Sequence, residues 1–450
     1  MLTDRGITDF LILEGGAIIG GRVKSAQFGG KTVELGANWI HGITNNPIYQ
    51  LAQKYGLQMV KYDWDDWIVR SSTGNDVTAT ADSVSGEIEA AIEAADKRRK
   101  DKFLKFEPDI SWRSAFNMAH WIKKDEVAQA VEWYYFDFDY GLTPEEVSLK
   151  GGPFSKNSER YPGGDMYVTD PRGFKYIFER LLGEYLKPND ARLKLNHVVS
   201  KIEYTFHPNR HGVKVTTNLG AVYEADYAIV TFPLGVFQHN KVQFAPPLPL
   251  WKMDVLNNMG TVMYLKIFVK FPAGTVRFWD NKLNIIHAHA RRGYYTHWQN
   301  LETGNIHPAG TNLMTVSVLG WEARAVSRMP KAEVIAELNT VLQKLYGNRA
   351  VGIEDILIPD WIENPLSHGM YGCWPSNISN KTFHAIPAPV GPLFFAGEHT
   401  SRKLYGYLHA AYLTGIRAAE EVVECANSRY CPSTFYSPQQ RPGFYYRKKK

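Results

Sequence analysis

Close to the start of the chain an apolar run ends in an acid. Leu11-Ile12-Leu13 is followed by Glu14, and Gly20-Gly21-Arg22 comes after a spacer of five residues. Residues 9–14 read as a buried strand, and Leu11 to Glu14 have the pattern of the second strand of a Rossmann unit. A carboxylate at that strand end can accept hydrogen bonds from a ribose. Paired glycines let backbone N–H groups approach a pyrophosphate, and Arg22 can fork onto its oxygens. Gly-Gly-Arg alone is equally a tight turn with a surface arginine; the acid upstream makes the combination specific. A second block, Phe394-Phe395-Ala396-Gly397-Glu398-His399-Thr400, precedes Gly406-Tyr407 and a helical pattern. An apolar strand, a Gly-Glu turn and a helix start suit a dinucleotide clamped at a strand end and a helix N-terminus.

Between these blocks the texture alternates. Asn46 to Gly56 reads as a helix with Asn46 as cap, Pro47 in the first turn and Gly56 after the end. Val84 to Lys105 is a second helical pattern, acidic early and basic late, with a solvated charged face. From about Tyr161 short strands and turns dominate: Val213 to Thr217 alternates, and Ala228-Ile229-Val230 is an apolar strand. In Tyr264 to Phe271, Tyr264, Lys266, Phe268 and Lys270 fall on one face and the apolar residues on the other. That pattern leaves open an edge strand with a wet lysine face. Pro330 to Tyr346 and Gly406 to Cys425 are amphipathic helices. The expected class is mixed α/β.

Composition narrows the function. Hydrophobic residues are 44% and charged residues 22%, which excludes a disordered or fibrous chain. Lys plus Arg is 51 against 46 Asp plus Glu, and this net charge of +5 is dispersed, which argues against nucleic acid as a partner. The basic run Arg447 to Lys450 reads as a solvated tail. No stretch approaches the ~18 apolar residues of a membrane helix. Three cysteines without a CxxC give neither a disulfide framework nor structural zinc. Cys425 and Cys431 can pair if the helix ends between them; free buried thiols are the alternative. His287, His289 and His297 lack a convincing third metal ligand, so no metal is expected and hydrogen-bonded sheet histidines are the default.

The motifs GITDFLILE, GGR, ELGANWIHG, NHVVSKIEY, LKIFVKFP, RRGYY, GCWP and AGEHTS run in order from residue 6 to the end of a resemblance that reaches about residue 432. Together they resemble the FAD-dependent amine oxidases, and within them the plant-type polyamine oxidases. The resemblance implies a discontinuous Rossmann-like FAD-binding domain (residues 1–45, 155–235 and 380–432), an α+β substrate domain (46–154 and 236–379) and a tail (433–450). It implies that Glu14 holds the adenosine ribose, Gly21 and Arg22 the pyrophosphate, and Val198 the adenine side through its backbone. Gly397 and Glu398 fall at the ribityl-diphosphate region and Trp361 near the flavin. Lys266 matches a lysine holding a water against flavin N5. Tyr371 and Tyr407 match two aromatics flanking the substrate, and Trp39 and His41 stand at the active-site entrance. His41 replaces an acid found in several plant relatives, which leaves the cleaved bond open. Cys373 follows Tyr371 rather than preceding it, so the FAD is expected to be non-covalent.

The implied activity is oxidation of spermine or spermidine at a secondary amine, with hydride passing to flavin N5 and dioxygen reduced to hydrogen peroxide. Asp137, Asp139, Glu145 and Glu146 are candidates for recruiting the polycation, with a solvated acidic loop as the alternative. The resemblance also places a first strand and a GxGxxG loop ahead of residue 6. Their absence from the sequence gives the expectation of a truncated start and weakened FAD binding. The competing readings are an oxidase of other amines and a non-catalytic binding protein. A monomer is expected. The chain start lacks the charged and apolar stretches of a signal peptide, whereas resemblance to secreted plant enzymes points to an extracellular location.

Overall fold

The computed structural model describes residues 1–101, 107–152, 160–207, 210–376 and 384–427. The expected tail, its basic run and Cys431 lie outside these residues. Helices and sheets interleave along the chain, as an α/β class requires. Two pairings that frame the site are parallel: Ile12–Leu13 with Leu193–Lys194, and Ala228–Val230 with Leu393–Phe395. Parallel neighbours need long crossovers, which the intervening helices and strands provide. The first pair corrects the expected buried strand over residues 9–14. Only Ile12–Leu13 is extended, and Leu11 and Ile12 are 39% and 36% exposed. Within a two-stranded sheet the strand has one neighbour, so much of its side-chain surface stays uncovered.

The largest sheet has six strands, ordered Asp355–Leu357, Tyr264–Lys270, Leu313–Leu319, His297–Asn300, Asn284–His287 and Trp67–Arg70. Tyr264–Lys270 is therefore an inner strand, and every residue from Tyr264 to Val269 is buried. The edge-strand reading of Lys266 is overturned: it lies opposite Ser317 and is 5% exposed. Period-two alternation correctly separates the two faces, but both are covered. Leu265, Ile267 and Val269 pack with Leu338, Leu342 and Leu345 of the helix Lys331–Tyr346. Each such fully buried side chain contributes ~1.5–3 kcal/mol relative to exposure.

The helix Pro47–Lys54 starts where its cap places it: Asn46 Oδ1 accepts from the Ile48 N–H at 2.9 Å. Asn46 also donates to the His41 carbonyl at 2.9 Å, so the cap ties the helix to the strand Trp39–His41. That strand lies antiparallel to Asp165–Val168, which also pairs with Met59–Tyr62. The helix expected from Val84 begins earlier, at Thr78, and runs to Lys100. The last helix is Leu408–Asn427; its Ala418 and Val422 pack on Phe394. A distinctive element is Glu126–Glu132, which passes into a π-helical turn, Trp133–Asp137, and then Phe138–Tyr140. Among the described residues no helix is long and apolar enough to cross a membrane.

Candidate active site

A cavity of about 1020 Å³ is lined by residues from both ends of the chain and from its middle. All twelve candidate site residues line it: Glu14, Gly21, Arg22, Trp39, His41, Val198, Lys266, Trp361, Tyr371, Gly397, Glu398 and Tyr407. One part is rich in glycine and basic groups. Glu14 Oε1 accepts from the Gly16 N–H at 2.6 Å. Gly21 takes φ +55°, and no atom stands within 4 Å of where a Cβ would be, so its backbone is open to a ligand. Arg22 Nη1 donates to Glu398 Oε1 at 2.9 Å and to the Met370 carbonyl. Lys24 and Lys241 also line the cavity. Val198 offers its backbone with one group used, because its carbonyl accepts from the Asn218 N–H at 2.8 Å.

Glu398 closes this part. It accepts from the N–H groups of Gly372 at 3.2 Å and Gly406 at 2.8 Å as well as from Arg22. Burial works to raise its pKa, but Arg22 and these donors hold it below the ordinary value. The segment 34–38 runs alongside. Gly36 leaves no room for a side chain, since a Cβ there would stand 1.7 Å from the Arg22 carbonyl oxygen. Trp361 Nε1 donates to the Leu35 carbonyl at 2.9 Å. Lys266 Nζ donates to the carbonyls of Glu34 and Gly36 and to Asn38 Oδ1. Burial lowers its pKa to about 7, against the attraction of Glu34. The cavity's volume, its open left-handed glycine, its guanidinium and its strand-end carboxylate fit an elongated dinucleotide cofactor.

The other part is aromatic and acidic. Trp39 sits among Tyr62, Trp64, Phe138 and Tyr167, with ring centroids 5.3–6.3 Å apart. Tyr407 meets His41 edge-on at 5.2 Å and stacks on His409 at 5.1 Å. Gly406 allows Tyr371 to approach: a Cβ there would lie 3.2 Å from the Tyr371 ring. His41 Nδ1 is 3.0 Å from Asp165 Oδ2, directly across the strand pairing. Burial would lower the His41 pKa, but the hydrogen bond and charge of Asp165 raise it instead. Asp165 also accepts from the Gly42 N–H at 2.8 Å and from Trp64 Nε1 at 3.0 Å. Asp139 is exposed toward the cavity, and loss of bulk water around it there raises its pKa to about 6 against the pull of His41.

Of the four acids considered for recruiting a polycation, only Asp139 lines the cavity. Asp137 is buried against Arg292, Glu145 pairs with Arg113, and Glu146 caps the Thr143 N–H at 3.0 Å. Asp65 is a further cavity acid that the sequence did not single out. Asp165, Trp64, Phe138 and Asn38 were likewise missed as site residues. Asn38 lies within the ELGANWIHG motif, but its partner Lys266 is 228 residues away. Cys373 is buried and free. Among the described residues no cluster of three or more potential ligands could hold a metal. His297 Nε2 is 3.0 Å from Asn284 Oδ1, as expected of a sheet histidine. The expectation fails at His287, whose two ring nitrogens are buried without a hydrogen-bond partner, and His289 lies beyond the strand Asn284–His287.

Comparison with known proteins adds to this geometry. The chain matches the flavin containing amine oxidoreductases over residues 1–423. It is 34% identical to polyamine oxidase 1 of Zea mays over 456 residues, covering 96% of this chain and 88% of that one. Similarity to polyamine oxidase 6 of Oryza sativa subsp. japonica is 32% identity over 449 residues, covering 95% and 88%. Lysine-specific histone demethylase 2 of Homo sapiens is 25% identical over 431 residues, covering 91% of this chain and 50% of that protein. Matched by the family over residues 1–423 and 34% identical to a relative along nearly its whole length, the chain belongs to the flavin-containing amine oxidoreductases.

Proposed function

We propose that the chain oxidises polyamines such as spermine and spermidine at a secondary amine, using non-covalently held FAD. The observation that carries this reading is one cavity lined both by glycines with Arg22, Glu14 and Glu398 and by aromatic rings with Asp139 and Asp165. Bound FAD supplies a two-electron acceptor for the carbon beside the amine nitrogen, and dioxygen then takes the electrons to give hydrogen peroxide. Glu14 would hold the ribose, Gly21 and Arg22 the pyrophosphate, and the Val198 N–H the adenine side. Gly397, Glu398 and Trp361 would line the rest of the cofactor's path. The resemblance supports dividing the chain into a cofactor domain built from three segments of sequence and a substrate domain built from two.

A polyamine is a flexible polycation, and only a nitrogen with a free lone pair releases a hydride from its neighbour readily. The site must therefore keep one nitrogen neutral and accept charge on the others. Trp39, Tyr371 and Tyr407 supply apolar walls that exclude water and attract ammonium groups through their faces. Asp139 and Asp65 supply negative charge within the cavity. His41, oriented by Asp165, holds a proton at its Nδ1 and stands beside Tyr407. Lys266 can give up or regain a proton at Nζ near neutral pH. Membership of an oxidoreductase family supports catalysis over a purely binding role. Peroxide release by FAD-loaded protein from spermine, spermidine and their N-acetyl forms tests the reading. Turnover of at least one is expected, and turnover of none rejects it.

A further inference from the structure

The π-helical turn Trp133–Asp137 stands immediately before two cavity residues, Phe138 and Asp139. Such turns are rare, and they hold an extra residue relative to an α-helix. The residues that bracket this one are both carboxylates, Glu132 and Asp137, five positions apart. In an α-helix of 3.6 residues per turn, side chains five apart diverge by about 140°. Here one guanidinium reaches both. Arg292 Nη1 lies 2.7 Å from Glu132 Oε1 as an ion pair without a hydrogen bond, while its Nε and Nη2 donate to Asp137 at 2.8 and 2.6 Å. Glu132 is fully buried and also receives Arg113 at 2.6 and 2.8 Å and Trp121 Nε1 at 2.6 Å.

The loop carrying Arg292 docks on the same helix at two further places. Gln129 Nε2 donates to the carbonyls of His289 and Ala290, each at 3.0 Å. Gly293, at φ +76°, lies so close that a Cβ would stand 3.0 Å from Trp133 Nε1. A point charge such as lysine cannot reproduce the forked hydrogen bonds to Asp137 while also standing against Glu132. Removing the extra residue of the turn would rotate everything after it by about 100°, the step per residue of an α-helix. That rotation would carry Phe138 away from Trp39 and Asp139 away from the cavity.

We propose that Arg292 is a positioning residue: by gripping Glu132 and Asp137 together it selects the π-turn that delivers Phe138 and Asp139 to the amine-binding part of the cavity. The inference rests on the polyamine reading only for the use to which Asp139 is put. It assigns the Arg-Arg-Gly-Tyr-Tyr motif a task at the site, although Arg292 itself touches neither cofactor nor substrate.

The test compares wild type, Arg292→Lys, Asp137→Asn and the control Arg291→Gln, whose arginine pairs with Glu322 at the surface. For FAD-loaded protein, kcat and KM for spermine are measured across pH, alongside the flavin spectrum and hydrogen exchange of residues 133–140. Arg292→Lys is expected to keep the flavin spectrum. Its kcat/KM should fall by about tenfold to a hundredfold, as misplacement of a binding group does, mostly through KM. The fall in kcat/KM on acidification through about pH 6, which reports Asp139 facing His41, Asp165 and the phenols of Tyr140, Tyr371, Tyr405 and Tyr407, should be lost with it. Exchange should quicken in residues 133–140 of this variant and not in Arg291→Gln. Should Arg292→Lys fail to fold, Asp137→Asn decides by the same readouts. Wild-type kcat/KM, pH profile and exchange in a folded fork variant would overturn the proposal. Wild-type protein that oxidises no polyamine rejects the functional reading instead, and exchange alone then decides whether Arg292 holds the turn.

Discussion

Asp165 shows how much one carboxylate can organise. It gathers His41, the Gly42 N–H and Trp64 Nε1, so histidine, loop and aromatic wall share one anchor. Burial alone would raise its pKa, yet these donors keep it below the ordinary value, and it holds the His41 pKa up in return. Asp165→Asn is therefore expected to move the His41 titration to lower pH, measurable by NMR of the imidazole. Asp139→Asn removes negative charge from the substrate part of the cavity and should raise KM for spermine by about tenfold, the worth of ~1.4 kcal/mol. Lys266 carries a linkage prediction. Its folded pKa of about 7 lies below the ordinary value of 10.5, so the unfolded chain binds more protons between these limits. Stability contributed by this site should rise as pH increases through that window. Thermal unfolding of wild type against Lys266→Met at pH 7 and pH 10 checks it; a difference that does not grow with pH would contradict it.

At the scale of elements, local signals were legible and partnerships were not. The cap at Asn46 and the proline after it announced the helix Pro47–Lys54, and its cap bond is there. Alternation announced the strand Tyr264–Lys270 but could not say that both faces are covered, because the covering helix lies some sixty residues downstream. The π-turn had no visible signal. Its carboxylates are five apart, a spacing without meaning until Arg292 is seen between them. Close packing of elements also sets the next expectation. Gly36→Ala would drive a Cβ into the Arg22 carbonyl, so the variant should lose about 3 kcal/mol or more, at the upper end of overpacking costs. It should also retain less FAD, because Arg22 must shift. Denaturant midpoint and flavin content after purification report the two effects separately.

For the molecule as a whole, charge is arranged rather than accumulated. The chain carries +5 overall, yet Asp65, Asp139 and Asp165 line the same cavity as Arg22, Lys24 and Lys241. A basic protein can thus receive a polycation and a pyrophosphate in one space. Salt screens such fields over a length of ~8 Å at physiological ionic strength. The kcat/KM for spermine should therefore fall with added salt more steeply than that for a singly charged amine, and equal slopes would contradict the acidic part's role. The glycine-lined part of the cavity was readable because its elements are short contiguous motifs: Glu14 to Arg22 and Ala396 to Glu398. What joins those motifs, the bond between Arg22 and Glu398 across 376 residues, required the fold. The aromatic and acidic part was harder to read, since Trp64, the pair Phe138-Asp139 and Asp165 come from three separate stretches of sequence.

The most direct measurement mixes FAD-loaded protein with spermine in the absence of oxygen and follows the flavin's visible absorbance. Bleaching in a single two-electron step, with colour returning and peroxide appearing when air is admitted, is the expected result. A protein that stays yellow with spermine, spermidine and their N-acetyl forms, or that takes up no FAD when properly folded, would contradict it.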